Sequence, residues 1–389
     1  MQIANRLKRI PPYLFMELRN KINKAKAEGI DVISLAVGDP VEPTPQPVID
    51  ALNRSAAEAA NHRYPTDEEK GMFAFRRAVA DWYSARYNTD LDPEREVLGL
   101  IGSKEGCHHF ILAVANPGDT VLMTDPGYPA YRASILMAEA EPYNVPITVD
   151  NGFLPRLADI PSDVAKRSTA MFLNYPNNPT GAIATPEFFA EVVEFSKTHG
   201  IAICHDNPYS EIVFDDTEPL SFLSTPGAID VGVELNSLSK PFNMTGWRIG
   251  MATGNQELIS GIAQVKENTD SGVFNAIQYA GIAALSKCQH NIGQMLQIYT
   301  RRREKILNTF KEVVPASYAP PKGTFYLWLP TPNEMNSIDF ATFIFERAAV
   351  VITAGSAYGE FGEGYFRVAL TVPDARLEEA LDRIRQALG

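Results

Sequence analysis

Cysteine is scarce: Cys107, Cys204 and Cys288 are the only three in 389 residues, an odd set without paired spacing that suggests neither a disulfide framework nor a zinc site. A reducing compartment suits such a chain, and the cytoplasm is its expected location. Long apolar runs are also lacking. None reaches the roughly 18 residues a spanning helix needs, and Met1-Gln2-Ile3-Ala4-Asn5-Arg6 has no apolar signal core, so no membrane is expected. Positive charge is in deficit: 35 Lys and Arg against 47 Asp and Glu leave a net charge of −12, which argues against a nucleic-acid partner, since displacing phosphate counterions takes clustered cations. The run Arg301-Arg302-Arg303 is the exception, and its helix-like setting reads as a solvated face. Six histidines show no metal-ligand spacing, His108-His109 reading as part of a helix, and no metal is expected. Gly-x-Gly-x-x-Gly, a Walker loop, His-Glu-x-x-His and Gly-x-Ser-x-Gly are all missing.

What remains is ordinary globular composition, 45% hydrophobic and 21% charged, on a chain long enough for a large unit and a smaller one. Short apolar runs alternate with helical patterns through the middle, which predicts an α/β fold with a mostly parallel sheet covered by helices. Strands are expected near 97–101, 120–124, 170–174, 201–205, 231–236 and 248–253. Beyond about residue 282 the pattern changes to a long helical stretch, strand-like 324–329 and 365–370, and a closing helix 375–388, a smaller α+β layer. The expected division is an N-terminal arm with part of the small domain (1–45), a large domain (46–281) and a small C-terminal domain (282–389). The arm is too irregular for the main sheet and is expected to wrap onto the site or a partner subunit.

Each expected strand ends in a distinctive turn, and in open α/β sheets such turns converge on a ligand. Lys240, in Ser237-Leu238-Ser239-Lys240, follows a buried strand and precedes Arg248. Desolvation and a neighbouring cation both favour a neutral, nucleophilic amine able to condense with an aldehyde, although a lone lysine is ordinarily a solvated charge. Asp206 follows Ile201-Ala202-Ile203-Cys204; if buried it needs a cationic partner, and a protonated pyridine nitrogen is one. A helix cap is its bland alternative. Tyr209 and Asn178 could donate to a ring oxygen, and Tyr128, in Pro126-Gly127-Tyr128-Pro129, could stack on a planar group. Gly102-Ser103-Lys104-Glu105-Gly106 precedes a helix and could grip a phosphate together with Ser237, Ser239 and Arg248. Arg367, within a strand, would be costly to bury without an anion; a substrate carboxylate or a structural salt bridge would each serve.

In order along the chain, Asn177-Asn178-Pro179-Thr180-Gly181, Asp206-Asn207-Pro208-Tyr209, and Ser237-Leu238-Ser239-Lys240 with Gly246-Trp247-Arg248 resemble the fold-type-I pyridoxal 5'-phosphate aminotransferases over essentially the whole length. The resemblance implies that Lys240 is the imine lysine and proton shuttle, Asp206 the partner of the pyridine nitrogen, Tyr209 and Asn178 the ligands of the 3-oxygen, and Tyr128 the stacking ring. It implies a phosphate site of Ser103, Lys104, Ser237, Ser239 and Arg248, completed by Tyr64 from the neighbouring subunit of a homodimer. Arg367 would clasp the α-carboxylate of the substrate, with Gly38, Asn178 and Tyr13 nearby. Within that group, Pro11-Pro12-Tyr13-Leu14-Phe15, Ser103-Lys104-Glu105-Gly106, Asn243 to Arg248 and Asp270-Ser271-Gly272-Val273-Phe274 are most similar to the LL-diaminopimelate aminotransferases. The substrates then expected are LL-diaminopimelate and 2-oxoglutarate, as in lysine biosynthesis. The 64–71 loop and Pro208 and Pro241 depart from the pattern, and an aspartate/alanine-type aminotransferase or a C–S β-lyase stays open. A non-catalytic regulator is disfavoured, since the residues before the main sheet are too few for a DNA-binding domain.

Overall fold

The computed structural model describes residues 2–10, 14–65, 70–314 and 320–389, of which 14–19 in backbone only. Seven strands form the central sheet, in the spatial order Val97–Leu100, Gly250–Gly254, Gly232–Ser237, Ala202–Asp206, Ser168–Leu173, Thr120–Asp125 and Glu141–Pro146. All neighbours are parallel except Gly250–Gly254, which runs antiparallel to both of its own. The inner strands are buried on both faces because helices cover both, even where Glu234 and Asn236 alternate with Val233 and Leu235. Val97–Leu100, Gly232–Ser237 and Gly250–Gly254 are buried at every position. On one face Phe75, Val79, Phe188, Val192, Ala280 and Ala284 close the core; on the other Phe110, Ile111, Tyr131, Ile135, Ile259 and Ile262 do. Each such large side chain contributes about 1.5–3 kcal/mol by leaving water.

A second, three-stranded antiparallel sheet orders Thr353–Ala354, Tyr365–Ala369 and Tyr326–Pro330. The helices Gln289–Val313, Ser337–Ala348 and Asp374–Leu388 close a separate core around Ile306, Phe310, Phe340, Phe366, Val368 and Leu381. The N-terminal segment adds Ile33–Ser34 in parallel to Val350–Val351.

Four features differ from the sequence expectations. The strand Glu141–Pro146 was not foreseen; its Pro142 and Pro146 are tolerated at the sheet edge, where missing N–H groups cost no ladder bond. Arg248 lies outside its expected strand, in the left-handed region at φ 54°. The expected division at 281/282 falls inside the helix Asn275–Lys287, whose Ala280, Ala284 and Leu285 pack with the large sheet. Finally, Arg302 and Arg303 are not a solvated face. Arg302 is buried and donates to Glu42 (2.5 Å), Asp374 (2.7 Å) and the Leu370 carbonyl (3.0 Å). Arg303, also buried, forks onto Asp215 at 2.6 and 2.8 Å. Only Arg301 faces solvent, because the core-facing side of this helix carries Tyr299, Arg302, Arg303 and Ile306.

Candidate active site

Four parallel strands end side by side, and the turn after each contributes to one cavity of about 420 Å³. Tyr128 follows Thr120–Asp125; Asn174 and Asn178 follow Ser168–Leu173; Asp206 ends its strand and leads to Tyr209; Ser237 ends the next and leads to Ser239 and Lys240. Ser103 and Lys104, at the start of the helix Ser103–Val114, and Arg248 line it too, and Tyr326, Arg367, Val37 and Gly38 close it from the smaller layer and the N-terminal segment. Every residue expected from the sequence is thus brought together except two. Tyr13 lies outside the described residues, and Tyr64 is 74% exposed and not among the residues lining the cavity.

Lys240 is half-buried and donates from Nζ to the Gly38 carbonyl at 3.0 Å. Its ammonium is pushed down to about 8, mainly by burial and further by Arg248 and Arg367, against the opposing charge of Asp39. A minor fraction is therefore a neutral nucleophile near neutral pH, far more than an exposed lysine would supply.

Asp206 is buried, and its Oδ2 accepts from the Tyr131 hydroxyl at 2.7 Å. Its Oδ1 is buried with no hydrogen-bond partner among the described residues. Burial pushes the carboxyl up to about 6, opposed first by the Tyr131 bond and also by the nearby Ser103 hydroxyl and Cys107 thiol, neither of which reaches hydrogen-bond geometry on Oδ1. A carboxylate so placed is incomplete without a cationic donor. Tyr131 is itself fixed by stacking on Phe172 at 4.6 Å, and the Asn174 amide holds the Asp206 carbonyl at 2.6 Å.

The opposite requirement, an anion, arises around Gly102. This residue caps the helix Ser103–Val114 at φ 81°, and a Cβ there would lie 2.4 Å from Arg248 Nη2. Its lack of a side chain lets the guanidinium reach the helix start, where Nη2 also meets the Ile101 carbonyl at 3.4 Å. The helix start with its dipole, and Lys104 and Arg248 beside it, make this end suited to a phosphate.

Arg367 is 1% exposed yet makes no ion pair among the described residues, so the salt-bridge alternative is not what accounts for it. It donates to Asn178 Oδ1 (2.8 Å) and the Ala36 carbonyl (2.5 Å), and its Nε has no partner. The guanidinium lies 3.9 Å over the Tyr326 ring and 4.9 Å over that of Tyr358. Since Asn178 Oδ1 is engaged by Arg367, its amide N–H groups remain for the cavity. Tyr209 and Tyr326 place their hydroxyls 3.3 Å apart, and Gly38 must be glycine because a Cβ there would overlap Tyr326 Oη at 1.8 Å.

Sequence reading missed Tyr131, Asn174 and Tyr326. Asn174 carried a usable signal, a polar residue at the very end of an expected apolar strand and four before Asn178; the two tyrosines resemble ordinary core aromatics.

Comparison with known proteins gives the family. The family described as aminotransferase class I and II matches residues 30–384. An LL-diaminopimelate aminotransferase of Moorella thermoacetica is 51% identical over 389 residues, 100% of this chain and 99% of the relative. That of Desulforudis audaxviator is 49% identical over 386 residues, 99% of this chain and 98% of the relative. A substrate-bound BacF structure from Bacillus subtilis superposes with a TM-score of 0.95 at 34% identity, covering 99% of this chain and 98% of that one. With matches of this extent, the chain belongs to the class I and II aminotransferases, enzymes that depend on pyridoxal 5'-phosphate to exchange an amino group between an amino acid and a 2-oxo acid.

Proposed function

We propose that Lys240 holds the cofactor covalently and that the chain passes the amino group of LL-diaminopimelate to 2-oxoglutarate in two half-reactions. The observation that carries the site assignment is a pairing in one cavity: a buried Asp206 carboxylate oxygen with no donor among the described residues, and a helix start beside Arg248, which makes no ion pair among them. A molecule with a pyridinium N–H at one end and a phosphate at the other meets both. When bound, it supplies the electron sink for bond breaking at Cα.

The chain's own groups supply the rest. Asp206 would keep a proton on the ring nitrogen, Tyr209 and Asn178 would donate to the ring 3-oxygen, and Tyr128 would stack on the ring. Ser103, Lys104, Ser237, Ser239 and Arg248 grip the phosphate. Lys240 Nζ, with the Gly38 carbonyl beside it, would be freed when the donor's own amine takes its place on the cofactor, and would then take the Cα proton of the donor and give it up again. Arg367 clasps the α-carboxylate with Gly38 close by, which orients the Cα–H bond. A homodimer in the cytoplasm is the expected assembly, Tyr64 reaching the partner's phosphate site. Its support is the exposed aromatic set of Tyr64, Phe274 and Tyr279, with Asn275 bound to the Arg63 carbonyl at 3.5 Å.

The substrate assignment draws on relatives at 51% and 49% identity over nearly their full lengths. A far end bearing both a carboxylate and an ammonium requires groups of both signs around it. Ser271 is exposed on a loop away from its own cavity, so any part it takes depends on the partner subunit. With 2-oxoglutarate as acceptor, kcat/KM for LL-diaminopimelate should exceed that for lysine, aspartate, alanine and phenylalanine, by up to roughly 10⁴-fold where a distal group is missing. Preference for aspartate or alanine would overturn the substrate while keeping the transaminase; keto-acid release without any acceptor would instead mark a β-lyase.

Arg367→Lys should raise the donor KM about 10²-fold with cofactor retention unchanged. Lysine keeps the charge but can neither fork onto a carboxylate nor lie flat against Tyr326. Steady-state kinetics beside a cofactor titration checks this, and an unaltered KM would remove Arg367 from the substrate site.

A further inference from the structure

Lys266 is completely buried near the end of the helix Gln256–Glu267, outside the cavity, and no step above uses it. Its Nζ lies 2.7 Å from Glu105 Oε1 and 2.9 Å from both oxygens of Asp270. Each carboxylate also holds loop backbone. Glu105 Oε2 accepts a short bond from the Ile101 amide, and Asp270 Oδ1 accepts from the Gly272 amide at 2.6 Å. The neighbouring His109, pushed down to about 4 by burial and by Lys266, stays neutral and does not displace the lysine.

Ile101 is the connection to chemistry. Its amide is held by Glu105, while its carbonyl meets Arg248 Nη2, the guanidinium that crowds Gly102. One line of bonds thus runs from Lys266 through Glu105 and Ile101 to Arg248. A buried ion cluster adds little net stability over apolar packing of the same volume, but its bonds are directional and fix backbone position. Ser103, where the phosphate-gripping helix begins, is two residues from Ile101, so a shift of this turn would misplace the helix start and Arg248 together.

We infer that Lys266, clamped between Glu105 and Asp270, is a positioning residue for the phosphate end of the cofactor, presetting the Ile101–Ser103 turn and Arg248 as one anion site. The inference rests on the reading that this end of the cavity takes the phosphate. It separates phosphate recognition from attachment at Lys240, and pyridoxal, which keeps the aldehyde and ring but lacks the phosphate, tells the two apart.

The test compares binding of pyridoxal 5'-phosphate and pyridoxal to the full chain stripped of cofactor, read by absorbance of the Lys240-bound form, in wild type, Lys266→Met, Glu105→Gln and Asp270→Asn. Lys266→Met is expected to weaken pyridoxal 5'-phosphate roughly 10- to 100-fold, as loss of a supporting shell does elsewhere, while pyridoxal changes by less than about twofold. The two carboxylate variants should move the same way by less. Equal losses for both compounds would reduce the cluster to general structure and overturn the inference, as would unchanged affinity for pyridoxal 5'-phosphate. If Lys266→Met fails to fold by circular dichroism, the amide variants, which keep shape and backbone acceptors, decide by the same comparison. A wild-type chain that binds neither compound at Lys240 overturns the functional reading itself, whereas wild-type binding with unaffected variants overturns this inference alone.

Discussion

Lys240→Ala should lose all borohydride-fixable attachment of pyridoxal 5'-phosphate and slow turnover by on the order of 10⁴-fold or more, since one side chain supplies both the covalent hold and the proton transfer. In wild type the cofactor mass should appear on the peptide containing Lys240. The pH dependence carries a further sign. With the ammonium pushed down to about 8 by burial, Arg248 and Arg367, the neutral form is scarce below pH 7 and dominant above pH 9. Attachment to the stripped protein should therefore accelerate as pH rises through about 8 and then level, whereas an exposed lysine would keep accelerating toward its ordinary range above 10. Mass on another lysine, or turnover surviving in the alanine variant, would refute the assignment.

Asp206→Asn should make the stripped protein more stable and the loaded enzyme far slower. Burial raises this carboxyl to about 6, so between pH 4 and 6 the folded chain binds the proton more readily than the unfolded one. Ionised Asp206 therefore weakens the empty fold progressively as pH rises through that window. The deficit is complete above about 6 and amounts to about 3 kcal/mol. Asparagine removes it while keeping the shape and an acceptor for Tyr131. Thermal midpoints of the stripped proteins should converge near pH 4 and separate at pH 8 with the variant higher. With cofactor restored, the single-turnover rate should drop about 10³-fold, because a neutral amide cannot hold the ring nitrogen protonated as charge develops. A near-normal rate would show that the carboxylate has a different partner.

Most parts of the site legible in the sequence sit at the ends of buried strands or in the turns that follow, where Asp206, Asn178 and Lys240 have no packing reason to be; Arg367 was legible instead as a charge inside an apolar strand. Tyr131, Tyr326 and Lys266 were illegible because helices and strands routinely carry such residues, and only three-dimensional neighbours give them meaning. Tyr131 is defined by Asp206, 75 residues on, and Lys266 by Glu105, 161 residues back. The same limit explains Arg302, which looked like surface charge because Glu42, 260 residues away, is what receives it. Strand positions were legible to within a few residues from apolar runs, while Glu141–Pro146 hid behind its prolines, a composition that only an edge position permits.

Tyr326 occupies the space a side chain on Gly38 would need, and its ring is the shelf under Arg367. These three positions, 288 and 41 residues apart along the chain, therefore form one unit of inheritance. A lineage that enlarged residue 38 would have to shrink residue 326, and the arginine would then lose its support and with it the flat presentation of its fork. Drift at any one of them is blocked unless the others move in the same step, so directed evolution of this cavity toward new donors should randomise the three together or leave all three alone.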